Sequence, residues 1–179
     1  MKKIFTIFLL SLFYLPGISQ TKTSTAGIEI DALPYLTGGY YGSIWYGHQH
    51  MRYRAIITAV TTPSFMVKDG FTENKINAYT LITDYFFKPG FEKWWIGAGL
   101  EYWKGQIQTE ARQSTSKYDN VIVTAGGGYV WKFYHHFYLN PWGGIHVRAG
   151  GESSVRVDDK TFNPPVITPE VSVKIGWHI

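Results

Sequence analysis

Read backwards from residue 179, the chain alternates: Val171, Val173, Ile175, Trp177 and Ile179 are apolar, while Ser172, Lys174, Gly176 and His178 between them are polar or small. A period of two marks a strand with one greasy face. The same pattern sets Ile28, Ile30 and Ala32 against Glu29 and Asp31, and Tyr53, Ala55, Ile57 and Ala59 against Arg52, Arg54 and Thr58. It sets Tyr79, Leu81, Tyr85 and Phe87 against Ala78, Thr80 and Asp84, and Trp94, Ile96, Ala98, Leu100 and Tyr102 against Gly97, Gly99 and Glu101. Val121, Val123, Ala125, Tyr129 and Trp131 alternate with Thr124, Gly126, Gly128 and Lys132, and Leu139, Ile145, Val147 and Ala149 with Asn140, His146 and Arg148. Seven strands are readable, and residues 40–47 supply a less regular eighth. Pro34 and Pro63 interrupt neighbouring segments and mark bulges or strand ends.

Alternation alone does not separate a soluble sandwich from a membrane barrel. The connections do. Residues 48–50, 88–92 and 133–136 are short turns, whereas 67–75, 111–120 and 150–164 are longer loops rich in Gly, Ser, Asn and Asp. Short and long connections therefore alternate, as in an outer-membrane barrel with tight turns at one rim and longer loops at the other. The first connection, near residues 36–39, is short and departs from this scheme. Sixteen aromatics gather at the short turns and the last strand: Trp45, Tyr46, Tyr53, Tyr85, Phe86, Phe87, Phe91, Trp94, Trp95, Tyr129, Trp131, Phe133, Tyr134, Phe137, Tyr138 and Trp177. Folded in this way they form a belt at one rim, the level at which amphipathic rings meet lipid headgroups.

The first residues add an address. Met1, Lys2 and Lys3 precede an apolar run over 4–15, broken only by Thr6 and Ser11, and then Pro16, Gly17, Ile18 and Ser19. This reads as a secretory signal peptide, residues 1–19, cleaved after Ser19 or Gln20. Its apolar stretch is too short to cross ~30 Å of hydrocarbon as a helix. The remaining domain, residues 20–179, has no run of 18 apolar residues, which excludes a helical membrane protein.

Composition narrows the chemistry. The 179 residues carry 17 Lys and Arg against 13 Asp and Glu, too weak and scattered a surplus for nucleic acid. With no cysteine, thiolate catalysis, disulfides and Cys-ligated zinc are excluded.

Together, the signal peptide, eight amphipathic strands, short turns at one rim and a terminal strand over 171–179 resemble the small eight-stranded outer-membrane β-barrels, the group of OmpX-like proteins and the OmpA transmembrane domain. The resemblance is architectural and spans residues 20–179. It implies an all-β, antiparallel, up-and-down transmembrane barrel in the cell outer membrane of a Gram-negative envelope. It also implies lipid and lipopolysaccharide as surroundings and the barrel-assembly machinery as a partner in biogenesis. In that family the last strand usually ends in Phe or Trp; here Ile179 follows two residues after Trp177.

If the greasy face meets lipid, the alternate face fills the interior. The inward set comprises the acids Glu29, Asp31, Asp84, Glu101 and Glu170 and the bases Arg52, Arg54, Arg148 and Lys174, with His146 and His178 nearby. Buried charges need partners, so this near-balance points to an ion-paired, plugged barrel. Glycines 97, 99, 126, 128 and 144 make space beside Trp95 and Trp142.

For catalysis the nearest grouping is His146 with Ser153 or Ser154 and Glu152, but Arg148 occupies the place where a lipid-deacylating barrel carries its serine, and His146 points inward. For a metal, His48, His50, His135 and His136 could offer imidazoles to zinc or nickel at the turn rim. Neither turn holds a carboxylate, and no cofactor is expected. Arg156, Lys160, Lys68, Lys75, Arg112 and Lys117 lie on the outer loops, where they could meet lipopolysaccharide phosphates. The expected role is structural or adhesive, or accessory to an envelope assembly. The alternatives are a lipid-modifying enzyme and a soluble periplasmic barrel holding an apolar ligand.

Overall fold

The alternating segments pair with their sequence neighbours in a computed structural model that describes residues 24–63, 67–111 and 114–179. The expected signal peptide, residues 1–19, lies outside the described residues. The strands are β1 (Ser24–Asp31), β2 (Tyr40–His48), β3 (Met51–Thr61), β4 (Phe71–Phe86), β5 (Lys93–Thr109), β6 (Thr115–Tyr134), β7 (Phe137–Gly151), β8 (Val155–Val157), β9 (Lys160–Phe162) and β10 (Ile167–His178). A five-residue helix, α1 (Ala32–Leu36), separates β1 from β2. Strands β1 to β7 and β10 form an antiparallel eight-stranded sheet that closes into a barrel, with β10 returning to β1 through pairs running from Gly27–His178 to Asp31–Lys174. Closure leaves no unpaired sheet edge along the seam.

Register fixes which residues look inward. Ile57, Leu100 and Val173 are 53, 61 and 51% exposed, whereas Arg54, Glu101 and Lys174 are 2, 7 and 1% exposed. The oily face is outside and the ionic face inside, because through the middle of the barrel the strands keep a period of two around the ring.

Two turns at one rim need only two residues. His48 pairs with Met51, and Tyr134 with Phe137. In each turn the first loop residue takes a left-handed conformation, Gln49 at φ 55° and His135 at φ 41°. This reversal suits the twist of the strands it joins.

The aromatics gathered at this rim do two different jobs, which corrects the expectation of a single belt. Tyr46, Tyr85, Phe87, Trp94, Trp131, Phe133, Tyr134 and Phe137 are exposed and ring the outside. Trp45, Phe86, Phe91, Trp95 and Tyr138 are buried, and with Val130 and Trp142 they pack into a stopper across the lumen. Alternation divides them: Phe86 and Phe87, or Trp94 and Trp95, are neighbours in sequence but lie on opposite faces. Phe91 comes from the turn between β4 and β5. Its ring would lie 2.5 Å from a Cβ at residue 47, which is why that position is glycine.

At the other rim the long loops are more ordered than their polar composition suggests. Strands β4, β5 and β6 extend outward, so β4 starts at Phe71 and β6 at Thr115. Residues 150–164 contain the β8–β9 hairpin. Phe71, Ile107, Tyr118, Val157 and Phe162 form a small buried core between these strands and the hairpin. The period of two was hidden here because β4 is bulged between Thr72 and Lys75, with Glu73 at φ 54°. The hairpin turn is tied down by Asp158, which accepts hydrogen bonds from the hydroxyls of Ser114 and Thr109. These hold its carboxyl below the ordinary aspartate range. The first connection also differs from a plain loop. The Asp31 carboxylate accepts from the Leu33 amide at 3.0 Å and caps α1, where Pro34 is tolerated in the first turn.

Small residues decide how closely the interior packs. A Cβ at Gly176 would fall 2.1 Å from the Tyr138 ring, which is buried with no room to retreat. Gly176→Val is therefore expected to cost about 1–3 kcal/mol, read as a lower urea midpoint in detergent. Gly150→Val, where a Cβ meets nothing within 4 Å, serves as the control and should leave the midpoint in place.

Candidate functional site in the barrel interior

The interior is built in layers above the aromatic stopper. Arg52 and Arg54 lie two residues apart on β3 and so project to the same side. Asp84 lies directly opposite Arg52 across the β3–β4 ladder. Arg52 Nε donates to Asp84 Oδ2 at 2.7 Å and its Nη1 to Glu29 Oε1 at 3.0 Å. Arg54 Nη2 donates to Asp84 Oδ1 at 2.9 Å, and its Nη1 lies 3.5 Å from Glu29 Oε2. Two guanidinium groups thus face two carboxylates, all four fully enclosed. Charge-assisted, partly bidentate geometry is what allows such a set to remain ionised away from water.

The stopper and the charged cluster are one unit. The guanidinium carbon of Arg52 sits 4.9 Å from the centre of the Phe86 ring and 5.3 Å from that of Trp95, and Arg54 sits 5.0 Å from Trp95. Aromatic faces attract such cations most strongly when both are desolvated. Glu29 Oε1 also accepts from Tyr138 Oη at 3.1 Å and from Asn140 Nδ2 at 2.9 Å. Tyr138 Oη accepts in turn from Trp45 Nε1 at 2.8 Å, and Asn140 Oδ1 from Trp95 Nε1 at 2.9 Å. The stopper's polar edges thereby add two donors to the same carboxylate oxygen that Arg52 serves, while Oε2 faces Arg54 at 3.5 Å.

A second layer lies toward the loop rim. His146 Nδ1 is 3.0 Å from Glu101 Oε1, and its Nε2 is 2.7 Å from Glu170 Oε2. Ionised carboxylates only accept, so a ring serving both carries two N–H groups. Trp103 Nε1 donates to the other oxygen of Glu101 at 2.6 Å. Lys174 is buried with its Nζ 4.0 Å from the Trp142 ring centre and 5.3 Å from that of Tyr41. Among the described residues no carboxylate lies within 4 Å of it, and the two ring faces are its close partners.

Of the nine charged residues expected in this network, Glu29, Arg52, Arg54 and Asp84 meet in one cluster. Glu101 and Glu170 meet at His146. Asp31 is buried but spends its carboxylate on the α1 cap. Arg148 departs from the expectation. It is half-buried at the loop rim, and its Nη1 donates to the Glu152 carbonyl at 2.6 Å. The ladder between β7 and β10 begins at Val147, so Arg148, still paired with Ile122 of β6, sits at the upper edge of the interior where it reaches the loop instead of the network.

The grouping of His146 with Ser153 or Ser154 and Glu152 does not assemble. Both imidazole nitrogens are taken by Glu101 and Glu170, and Glu152 Oε2 accepts from the Asp119 amide at 2.7 Å. The turn histidines are likewise engaged elsewhere. His48 Nδ1 is 2.8 Å from Ser24 Oγ, and His50 Nδ1 is 2.6 Å from the Phe86 carbonyl with its ring stacked on Tyr85. His135 packs edge-on against Tyr134, and His136 against Trp177 and His178. Among the described residues no three His, Cys, Asp or Glu side chains are grouped to hold a metal ion.

Sequence reasoning missed Tyr138, Asn140 and Trp45 as partners of the interior charges. A signal existed: each shares the inward parity of its strand, and Tyr138 stands over Gly176, whose missing Cβ makes its space. What the fold and interior define is an all-β closed barrel, sealed by aromatics at one rim and internally neutralised by paired charges. No protein-family model, curated protein or solved structure matches the chain.

Proposed function

We propose that this chain is an integral outer-membrane β-barrel of the OmpX-like kind, non-conducting, with a structural or adhesive role or an accessory role in an envelope assembly. In this reading residues 1–19 direct export and are removed, and the barrel-assembly machinery inserts residues 20–179, engaging β10. One observation carries the reading: the hydrophobicity is inverted. Leu81, Leu100 and Val171 stand 68, 61 and 77% exposed on the outside, while ion pairs fill the inside. A continuous apolar exterior of this extent is stable only against hydrocarbon, and a closed barrel leaves no backbone group unpaired there. The exposed aromatics at the turn rim give the headgroup girdle that such barrels carry.

The soluble alternative needs an apolar lumen, but the lumen here is occupied by charged and aromatic side chains. The lipid-modifying alternative needs a nucleophile beside His146, whose ring is held by two carboxylates instead. The test is membrane fractionation with gel mobility of boiled and unboiled samples. The protein is expected in the outer-membrane fraction, with a heat-dependent shift that reports a closed barrel. Recovery in the osmotic-shock fraction without detergent would overturn the reading. Leu100→Arg places a charge on the outer face and is expected to cost about 2–4 kcal/mol in bilayers if the residue lies near the midplane.

A further inference from the structure

The outer face is not uniform. It carries a shallow apolar trough of about 1150 Å³ that runs from β1 to the edge of β6, with outward walls that include Ile28, Ile44, Ile57, Tyr79, Leu81 and Leu100. The register explains the hollow. Within it Thr83 pairs with Ala98, two small side chains on neighbouring strands, and the small row continues past the hollow to Ala125 of β6. The row nearer the loop rim is large, Leu81 beside Leu100, and the next pairs Tyr79 with Tyr102.

Directly beyond the tyrosines the outer face turns polar and basic. The next row is Asn77, Lys104 and Asp119, and the one after it Lys75, Gln106 and Lys117. Lys75 is paired with Glu73 at 2.8 Å, and Asp119 accepts the Tyr102 hydroxyl at 2.9 Å. Lys104 and Lys117 are exposed, and neither has a carboxylate within 4 Å among the described residues. The Lys104 Nζ lies 5.8 Å from the Tyr102 ring centre, at the head of the trough. The far side of the barrel lacks this arrangement: the outward residues of β7 and β10 at the same rim, Val147, Ala149 and Ile167, are uncharged.

We infer that this face is a binding site for a phosphate-bearing lipid, whose acyl chain lies in the trough between Leu81, Leu100 and the small row at Ala98 and whose phosphate pairs with Lys104 and Lys117. The inference rests on the membrane reading above and adds a position and a headgroup chemistry to it. Burial of a chain against an apolar hollow and charge pairing at its mouth act on one molecule, so neither a neutral lipid nor a free phosphate gains both. Asp119 lies between the two lysines and keeps its charge while accepting the Tyr102 hydroxyl, so two cations face the phosphate against one anion.

The test uses the purified protein in phosphatidylcholine vesicles containing a minor share of phosphatidic acid, with the lipid retained after mild detergent extraction counted by mass spectrometry. The wild type is expected to retain phosphatidic acid in preference to phosphatidylcholine. The double substitution Lys104→Gln and Lys117→Gln is expected to reduce that preference roughly tenfold. Ala98→Phe, which fills the trough without touching either lysine, should reduce total retained lipid. Both variants face outward and should keep the heat-dependent gel shift, which separates loss of the site from loss of the barrel. Equal retention of the two lipids by an inserted wild type, or an unchanged preference in the lysine variant, would overturn the inference while leaving the membrane reading intact. Loss of preference without any effect of Ala98→Phe would overturn the trough as the place of the chain. Failure of the wild type to insert into these vesicles would overturn both.

Discussion

Asp84→Ala is expected to destabilise the barrel by about 3–5 kcal/mol, enough to abolish the heat-dependent gel shift under mild denaturant. Asp84 is fully enclosed and accepts from both Arg52 and Arg54. Its removal leaves two buried guanidinium groups with one carboxylate, Glu29, between them. The loss comes less from missing attraction than from a cation left without a counter-charge in a place water cannot reach. Two companion variants make this explanation testable. Asp84→Asn keeps an acceptor but not the charge and should be damaging as well, whereas Arg54→Met in the Asp84→Ala background restores one acid to one base and should recover part of the stability. Urea unfolding in detergent micelles measures all three. If the double variant is no more stable than Asp84→Ala alone, charge balance is not what holds the interior.

Trp95→Ala is the second large effect expected, about 3–5 kcal/mol. The Trp95 ring packs 6.4 Å from Phe86 and 6.5 Å from Trp142, centre to centre, and lies under both arginines. Its Nε1 also satisfies Asn140, which in turn serves Glu29. The substitution therefore opens a cavity, removes two cation–π contacts and frees one polar group in a single step. Trp95→Phe separates these contributions, because it keeps a ring beneath the arginines but loses the N–H, and it should cost clearly less. In planar bilayers the wild type is expected to show no discrete channel, since the stopper and the charged cluster together fill the lumen. Stable unitary steps from the wild type would contradict a sealed interior.

Whether a residue looks in or out is a local property, and the chain states it openly. Arg52 and Arg54 against Tyr53, Ala55 and Ile57, or Glu101 against Leu100 and Tyr102, are distinguishable because a period of two is visible in a few residues of one strand. The same reasoning correctly placed Trp95 and Trp142 inside, beside glycines 128 and 144 that a Cβ would bring to within 3 Å of them. It failed where local signals mixed. The turn-rim aromatics read as one cluster because they are close in sequence although parity divides them, and the outward start of β4 reads as loop because a bulge at Glu73 interrupts the alternation.

By itself, then, the amino-acid order determined the strands, their two faces, the short turns at 48–50 and 133–136, and the set of charges that had to be neutralised inside. Only the tertiary structure decided the partnerships: that Glu29 of the first strand reaches Arg52 and Arg54 of the third and Asn140 of the seventh, that His146 serves Glu101 and Glu170, and that Arg148 reaches the loop instead of the network. Those pairings depend on how far each strand is staggered against the next when the sheet closes. Stagger is a sum over the whole ring, so no single segment carries it.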